Sequence, residues 1–149
     1  MWVYSSLGVA TLISADLTSK ALGLTINTLS STLSYLSHPN NDITIQNYKN
    51  ELERQDIEFK LKLIDHWLKM ITEDQLKENN NLNLIYKAIL DSCHQIDHWI
   101  NQINEKIKYH QTKWFYTWRT LDLENDIKAI KKNTKILNER LRLINLVTK

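Results

Sequence analysis

A heptad-spaced row of mostly apolar residues runs through the first 37 residues of the chain. Its members follow one another at alternating spacings of three and four: Leu12, Ala15, Ser19, Leu22, Ile26, Leu29, Leu33 and Leu36. This spacing places the row on one face of an α-helix, where it can pack against another helix. We therefore predict a helix over residues 5–37. Its predicted interface residues are Leu22, Ile26, Leu29, Leu33 and Leu36.

Three later segments repeat the helical periodicity, and the sequence between them carries helix-ending residues. Pro39 ends the first helix, because proline lacks an N–H and disfavours helical geometry in the residue before it. The run Asn79 to Asn81 ends the second, since Asn tolerates the left-handed geometry of a helix end. With a reversal near Thr120 to Asp122, the predicted second, third and fourth helices cover residues 42–78, 82–111 and 120–147.

The fold class follows from the scarcity of helix breakers, since the 149 residues include only two Gly and one Pro. Long amphipathic helices with short connections favour antiparallel neighbours. We predict an all-α fold with one domain over residues 1–149. It is an antiparallel up-down bundle of about four long amphipathic helices with coiled-coil-like seams.

Charge is distributed unevenly along the chain, although the net charge is only +2. Residues 105–149 hold eleven basic residues against five acidic ones, whereas residues 1–104 hold eight against twelve. The simplest interpretation is intramolecular: a basic last helix packs beside an acidic middle helix, which orients the helices more than it stabilises them.

The polar face of the first helix is almost uncharged. Residues 1–37 contain thirteen Ser or Thr but only two charged residues, Asp16 and Lys20. A solvated helix normally carries Lys and Glu on its outer face. Three interpretations stay open: a crowded helix in the bundle core, an assembly interface, or a helix that inserts into a membrane. No run of ~20 apolar residues predicts a membrane span.

Candidate catalytic and metal-binding groups are sparse. His94 and His98 lie one helical turn apart and could meet His66 from an antiparallel neighbour, but boundary-face histidines are far commoner than metal ligands. The sequence has no Glu-x-x-His pair, Gly-rich phosphate loop or G-x-S-x-G motif. We therefore expect no enzyme activity, metal, cofactor or small-molecule substrate. The single cysteine, Cys93, cannot form an internal disulfide, which favours an intracellular setting.

A dense aromatic and basic cluster lies between the third and fourth predicted helices. Its candidate partner-contact residues are Lys113, Trp114, Phe115, Trp118 and Arg119. The two tryptophans could cap the open end of the bundle, contact a partner protein, or stack on nucleic-acid bases. Burial at the bundle end is the preferred interpretation, and nucleic acid is not the expected partner.

Two resemblances bear on function. His110, Lys113 to Phe115, Trp118 to Arg119 and the stretch Leu137 to Leu143 resemble small uncharacterised helical proteins of large nucleocytoplasmic DNA viruses. The helix around Gly8 to Ala10, followed by a long bundle, is similar in layout to HeLo-type and plant resistance-type four-helix domains, which act at membranes.

The function predicted from these observations is non-enzymatic assembly. The chain would act as a scaffold or structural component of a larger viral particle, through protein partners or self-association along helix seams. Its location would be the host cytoplasm or the virion. The alternative is a membrane-targeting or membrane-perturbing bundle that uses the weakly charged first helix.

Overall fold

The described part of the chain is helical. The computed structural model describes residues 15–37, 43–113 and 120–147. Its helices are α1 (Ala15–Leu36), α2 (Ile43–Arg54), α3 (Ile57–Met70), α4 (Glu73–Glu78), α5 (Asn80–Gln111) and α6 (Glu124–Val147). Every regular element in these ranges is an α-helix, so the all-α prediction is confirmed.

The prediction of one continuous helix over residues 42–78 is wrong, because two breaks divide it into α2, α3 and α4. The first break is Asp56, whose φ of 52° and ψ of 39° are left-handed. The Asp56 N–H still donates to the Glu53 carbonyl at 3.0 Å, and the Asp56 carbonyl accepts the Lys60 N–H at 3.1 Å. Backbone hydrogen bonding therefore closes α2 and starts α3 across a single left-handed residue.

The second break lies between Ile71 and Thr72. Ile71 is extended, with φ −89° and ψ 127°. Thr72 then caps α4: its hydroxyl accepts the Gln75 N–H at 3.2 Å, while the Gln75 side chain accepts the Thr72 N–H at 2.9 Å. This reciprocal pair is a capping box, which satisfies two N–H groups that a new helix would otherwise leave unpaired.

Asn79 separates α4 from α5 as one residue rather than the predicted run of three. Its side-chain oxygen accepts the Leu82 N–H at 3.0 Å, so it caps α5, which starts at Asn80 instead of residue 82. The last helix starts four residues later than the predicted residue 120, at Glu124, whose N–H is bound by the Asp122 carboxylate at 3.0 Å.

The helices α5 and α6 form an antiparallel hairpin and make the most extensive helix pair among the described residues. Near the connection, Lys106 Nζ lies 2.7 Å from Asp126 Oδ2. At the end of the hairpin away from the connection, Arg140 Nη1 donates to the Ala88 carbonyl at 2.5 Å and to Ser92 Oγ at 2.7 Å. Residue numbers rise along one helix as they fall along the other, which fixes the antiparallel direction.

The hydrophobic core lies between this hairpin and the pair α1–α3, the next most extensive contact. Each of these four helices contributes buried side chains at helical spacings of three, four or seven residues. They include Leu22, Leu29 and Leu36 from α1, Leu61, Ile64 and Leu68 from α3, Ile96, Ile100, Ile103 and Ile107 from α5, and Ile130 and Leu137 from α6.

A buried carboxylate joins α2 to α6. Glu51 lies 3.6 Å from Lys131 Nζ and 3.4 Å from Arg54 Nη1, and it accepts the Gln55 side-chain amide at 2.8 Å. The uneven charge distribution predicts contacts between basic residues of the last helix and acidic residues of an earlier helix. The pair of Lys131 in α6 with Glu51 in α2 is such a contact.

Candidate interaction surface

The five predicted interface residues of the first helix lie at internal helix contacts. Leu22, Leu29 and Leu36 are buried, and Ile26 and Leu33 are half-buried and pack against the core. The inner face of α1 is therefore occupied by other helices of the same chain. Their predicted role in contacts between chains stays a prediction.

Two threonines, rather than Ile26 and Leu33, occupy the remaining buried positions of this face. Thr25 and Thr32 complete a row at 22, 25, 29, 32 and 36. The Thr32 hydroxyl donates to the Thr28 carbonyl at 2.8 Å and accepts the Asn104 side-chain amide at 2.8 Å. Because the hydroxyl is satisfied within the protein, its burial carries little desolvation cost.

Over residues 22–36, the opposite face of α1 is exposed and carries no charged residue. Leu24 is 69% exposed and Tyr35 is 47% exposed, and Asn27, Ser31 and Ser34 lie on the same side. No residue from 21 to 37 is charged. We call Leu24, Asn27, Ser31 and Tyr35 the uncharged face. A helix that meets only water normally carries charges there, which makes this surface a candidate for contact with another molecule.

A groove of about 530 Å³ lies between the uncharged face and the C-terminal half of α5. Asn27 and Ser31 line its α1 side, and Asn101 and Asn104 line its α5 side. At one end, the Tyr35 hydroxyl donates a hydrogen bond to the Gln111 side-chain oxygen. The groove therefore adjoins the uncharged face, while Glu105 and Lys108 add charged groups on its α5 side. The side-chain amides of Asn101 and Asn104 already donate to Asp97 and Thr32.

The aromatic cluster is only partly described. Trp114, Phe115, Trp118 and Arg119 lie outside the described residues. Lys113 is half-buried, and its Nζ lies 4.0 Å from the centre of the Tyr109 ring, a cation–π contact within the chain. The predicted partner contacts of this cluster stay predictions.

The histidines considered as metal ligands are dispersed. His66 and His98 are exposed, His94 is half-buried, and His98 packs edge-on against Trp99 with ring centroids 5.5 Å apart. Within the described ranges, no three His, Cys, Asp or Glu side chains come together as a group able to hold a metal ion.

The single cysteine is enclosed in the core. Cys93 is buried in α5, and burial raises the pKa of its thiol to about 12. The thiolate is the nucleophilic form, so this side chain is protonated and shielded at neutral pH. Burial likewise raises the pKa of Tyr48.

None of the helices in the described ranges is both long enough and apolar enough to cross a membrane.

Comparison with known proteins finds a similarity to a viral protein. The chain is 34% identical over 67 residues to an uncharacterized protein of Acanthamoeba polyphaga mimivirus, a match that covers 45% of this chain and 32% of the relative. No family model matches the chain. No solved structure matches it either. The resemblance to uncharacterised proteins of large nucleocytoplasmic DNA viruses, predicted from the sequence, is thereby confirmed, and the layout likeness to HeLo-type domains stays a prediction.

Proposed function

We propose that this chain is a non-enzymatic assembly protein that associates with a second copy of itself through the uncharged face of α1. The observation that carries the proposal is the exposure of Leu24, Asn27, Ser31 and Tyr35 on a helix whose residues 21–37 include no charge. The sequence predicts assembly through the inner residues of α1. We propose instead that the contact between copies uses the outer face of α1.

An uncharged face suits contact between identical chains. Two copies of a charged face bring like charges together, which is unfavourable, whereas two copies of this face do not. Ser31 and Asn27 at its centre are small enough for two helices to approach closely, and their polar groups can form hydrogen bonds across the contact. Leu24 and Tyr35 supply apolar area at its two ends.

The arrangement of these residues is compatible with a two-fold axis. Leu24 and Tyr35 lie eleven residues apart in α1, about 16 Å at ~1.5 Å per residue. An antiparallel pair of α1 helices, with the axis level with residues 29 and 30, brings Leu24 of each copy beside Tyr35 of the other. The same patch then serves on both chains, as a symmetric dimer requires.

The mimivirus similarity supports a viral setting for this assembly, and we propose a role as a structural component of a larger particle. In this account the helices form an up-down bundle in which α2, α3 and α4 replace one long predicted helix. The antiparallel α5–α6 hairpin supports that arrangement.

Light scattering on the purified full chain tests the proposal. We expect a concentration-dependent mass approaching twice the 17.6 kDa of one chain. Ser31→Lys places two positive charges across the contact and should return the mass to that of a single chain. The matched control Asn50→Lys, which adds the same charge at an exposed position of α2, should not.

Membrane association is the competing outcome. If the chain sediments with vesicles of neutral or anionic phospholipid, stays a single chain without them, and loses vesicle binding in Ser31→Lys, the assembly proposal is wrong. The uncharged face would then act at a membrane.

A further inference from the structure

A second exposed apolar row lies on α3, apart from the uncharged face. Phe59 is 58% exposed, Leu63 is 50% exposed and Met70 is 67% exposed. With the exposed His66, these residues follow one another at spacings of four, three and four. We call Phe59, Leu63, His66 and Met70 the outer row of α3.

The outer row is not needed for the core. The inner face of α3 buries a separate set of side chains: Ile57, Leu61, Ile64 and Leu68. The helix therefore carries two apolar faces, of which one packs inside the chain and the other meets solvent. Large apolar side chains grouped on an exposed helix face are characteristic of binding surfaces.

Lysines flank the outer row on both sides. Lys62 and Lys69 lie along one edge, and Lys60 lies along the other. Lys62 pairs with Glu58 at 2.8 Å, and Lys69 pairs with Asp65 at 2.9 Å, whereas Lys60 has no acidic partner within the described ranges. Ser30 of α1 also donates to Glu58 at 3.0 Å, so this carboxylate is held beside α1, away from the row.

Hydrogen bonds hold the Glu58 carboxylate at the contact between α1 and α3. Those from Lys62 and Ser30 lower the pKa of the Glu58 carboxyl, so it stays ionised at neutral pH. Along one edge of the outer row the lysines are therefore balanced by Glu58 and Asp65, while Lys60 on the other edge supplies a positive charge without an acidic partner in the described ranges.

We propose that the outer row of α3 binds an amphipathic helix of another protein, whose apolar seam is flanked by Asp or Glu. The heptad spacing of the row matches the seam of a partner helix, and the flanking lysines match acidic edges on it. This surface is separate from the uncharged face, so a second copy and a different protein can be bound together.

The charges beside the outer row also disfavour a second copy of this chain as its binding partner. Two outer rows placed face to face in an antiparallel pair would bring Lys60 of both copies to the same edge of the contact, with like charges on one side. A partner with acidic edges avoids that repulsion and increases the rate of association.

Two synthetic peptides provide the probe. Both are three-heptad helices with Leu at positions a and d; one carries Glu at e and g, and the other carries Lys. We expect the fluorescently labelled Glu peptide to bind the full chain, with anisotropy rising on titration, and the Lys peptide to bind at least about tenfold more weakly. Added salt should weaken the Glu peptide's binding.

Variants locate the binding site. Leu63→Ser and Met70→Ser should each weaken Glu-peptide binding about tenfold, while the control Leu84→Ser, at an exposed leucine of α5, should leave it unchanged. Circular dichroism melting should show all three variants folded, because these side chains lie outside the core.

Three outcomes would overturn the proposal. The first is an absence of binding by the Glu peptide, and the second is equal binding of the two peptides. The third is binding to anionic phospholipid vesicles that is lost in Leu63→Ser while peptide binding is unaffected, which would identify the outer row as a membrane contact.

Discussion

Thr32 in α1 and Asn104 in α5 are joined by a hydrogen bond of 2.8 Å, from the Asn104 side-chain amide to the Thr32 hydroxyl. Both residues line the groove beside the uncharged face. Because Thr32 also donates to the Thr28 carbonyl, its hydroxyl both closes a turn of α1 and holds α1 against α5. The position of the uncharged face relative to α5 depends on this contact.

Replacement of this hydroxyl should be costly. We expect Thr32→Val to lower the free energy of unfolding by about 1 to 3 kcal/mol, because the Asn104 amide loses its acceptor in a partly buried site. Thr28→Val is the matched control: its hydroxyl bonds only the Leu24 carbonyl of its own helix, so a change of at most about 0.5 kcal/mol is expected. Urea unfolding followed by circular dichroism measures both, and equal effects would contradict the assignment.

Arg140 should stabilise the hairpin more than the neighbouring Arg142. Its guanidinium binds the Ala88 carbonyl and Ser92 Oγ across the helix pair and lies 3.6 Å from Asp91, whereas Arg142 reaches only Glu139 of its own helix, at 3.3 Å. We expect Arg140→Ala to cost about 1.5 to 3 kcal/mol of unfolding free energy and Arg142→Ala less than about 0.5. A comparable loss in both variants would count against this role.

The sequence predicts which residues form helices more reliably than where helices stop. Periodicity identifies the helical content and the burial of Leu22, Leu29 and Leu36, because apolar spacing directly reports a buried face. The predicted single helix runs through the breaks at Asp56 and Thr72, although the apolar spacing widens to five residues at both, from Leu52 to Ile57 and from Ile71 to Leu76. Thr72 and Gln75 did carry a readable capping signal, whereas left-handed geometry at an Asp has no clear signature.

The backbone at Asp56 gives a prediction of its own. Its left-handed φ of 52° disfavours a residue with an ordinary β-carbon, and glycine avoids that penalty. Asp56→Ala should lower the free energy of unfolding by about 1 kcal/mol, and Asp56→Gly should match or exceed the natural chain. Because the Asp56 side chain forms no capping hydrogen bond with α3, thermal melting of the two variants compares backbone effects. Identical stability of the Ala and natural chains would exclude this strain.

Burial of Cys93 predicts a loss of stability in alkali. Its folded pKa of about 12 exceeds the value of ~8.5 in an unfolded chain, so the unfolded state releases the proton first as pH rises. The thiol's contribution is complete below pH ~8.5 and is lost toward pH 12. Relative to Cys93→Ala, the natural chain should lose about 1 to 2 kcal/mol between pH 7 and pH 10. A pH-independent difference between the two chains in urea unfolding would contradict the burial of this group.

The candidate surfaces were less predictable than the core. The lack of charge on the first helix is visible in the sequence, but the sequence alone could not separate its inner face from its outer one. Thr32 is buried because the Thr28 carbonyl and the Asn104 amide satisfy its hydroxyl, and the bond from α5 is a tertiary contact that a hydropathy pattern misses. The sequence does not reveal the outer row of α3 as a separate exposed face, because its apolar residues are interleaved along the helix with those of the buried row.

Cross-linking between single-cysteine positions tests most directly whether two copies meet through the uncharged face. Cys93 is buried, so chains carrying Leu24→Cys or Tyr35→Cys present one accessible thiol each. The antiparallel pair places position 24 of one copy beside position 35 of the other, while like positions lie about 16 Å apart. With a short bismaleimide, an equal mixture should therefore form a cross-linked dimer far faster than either variant alone. Absence of cross-linking in the mixture, or equal cross-linking in each variant by itself, would contradict the account.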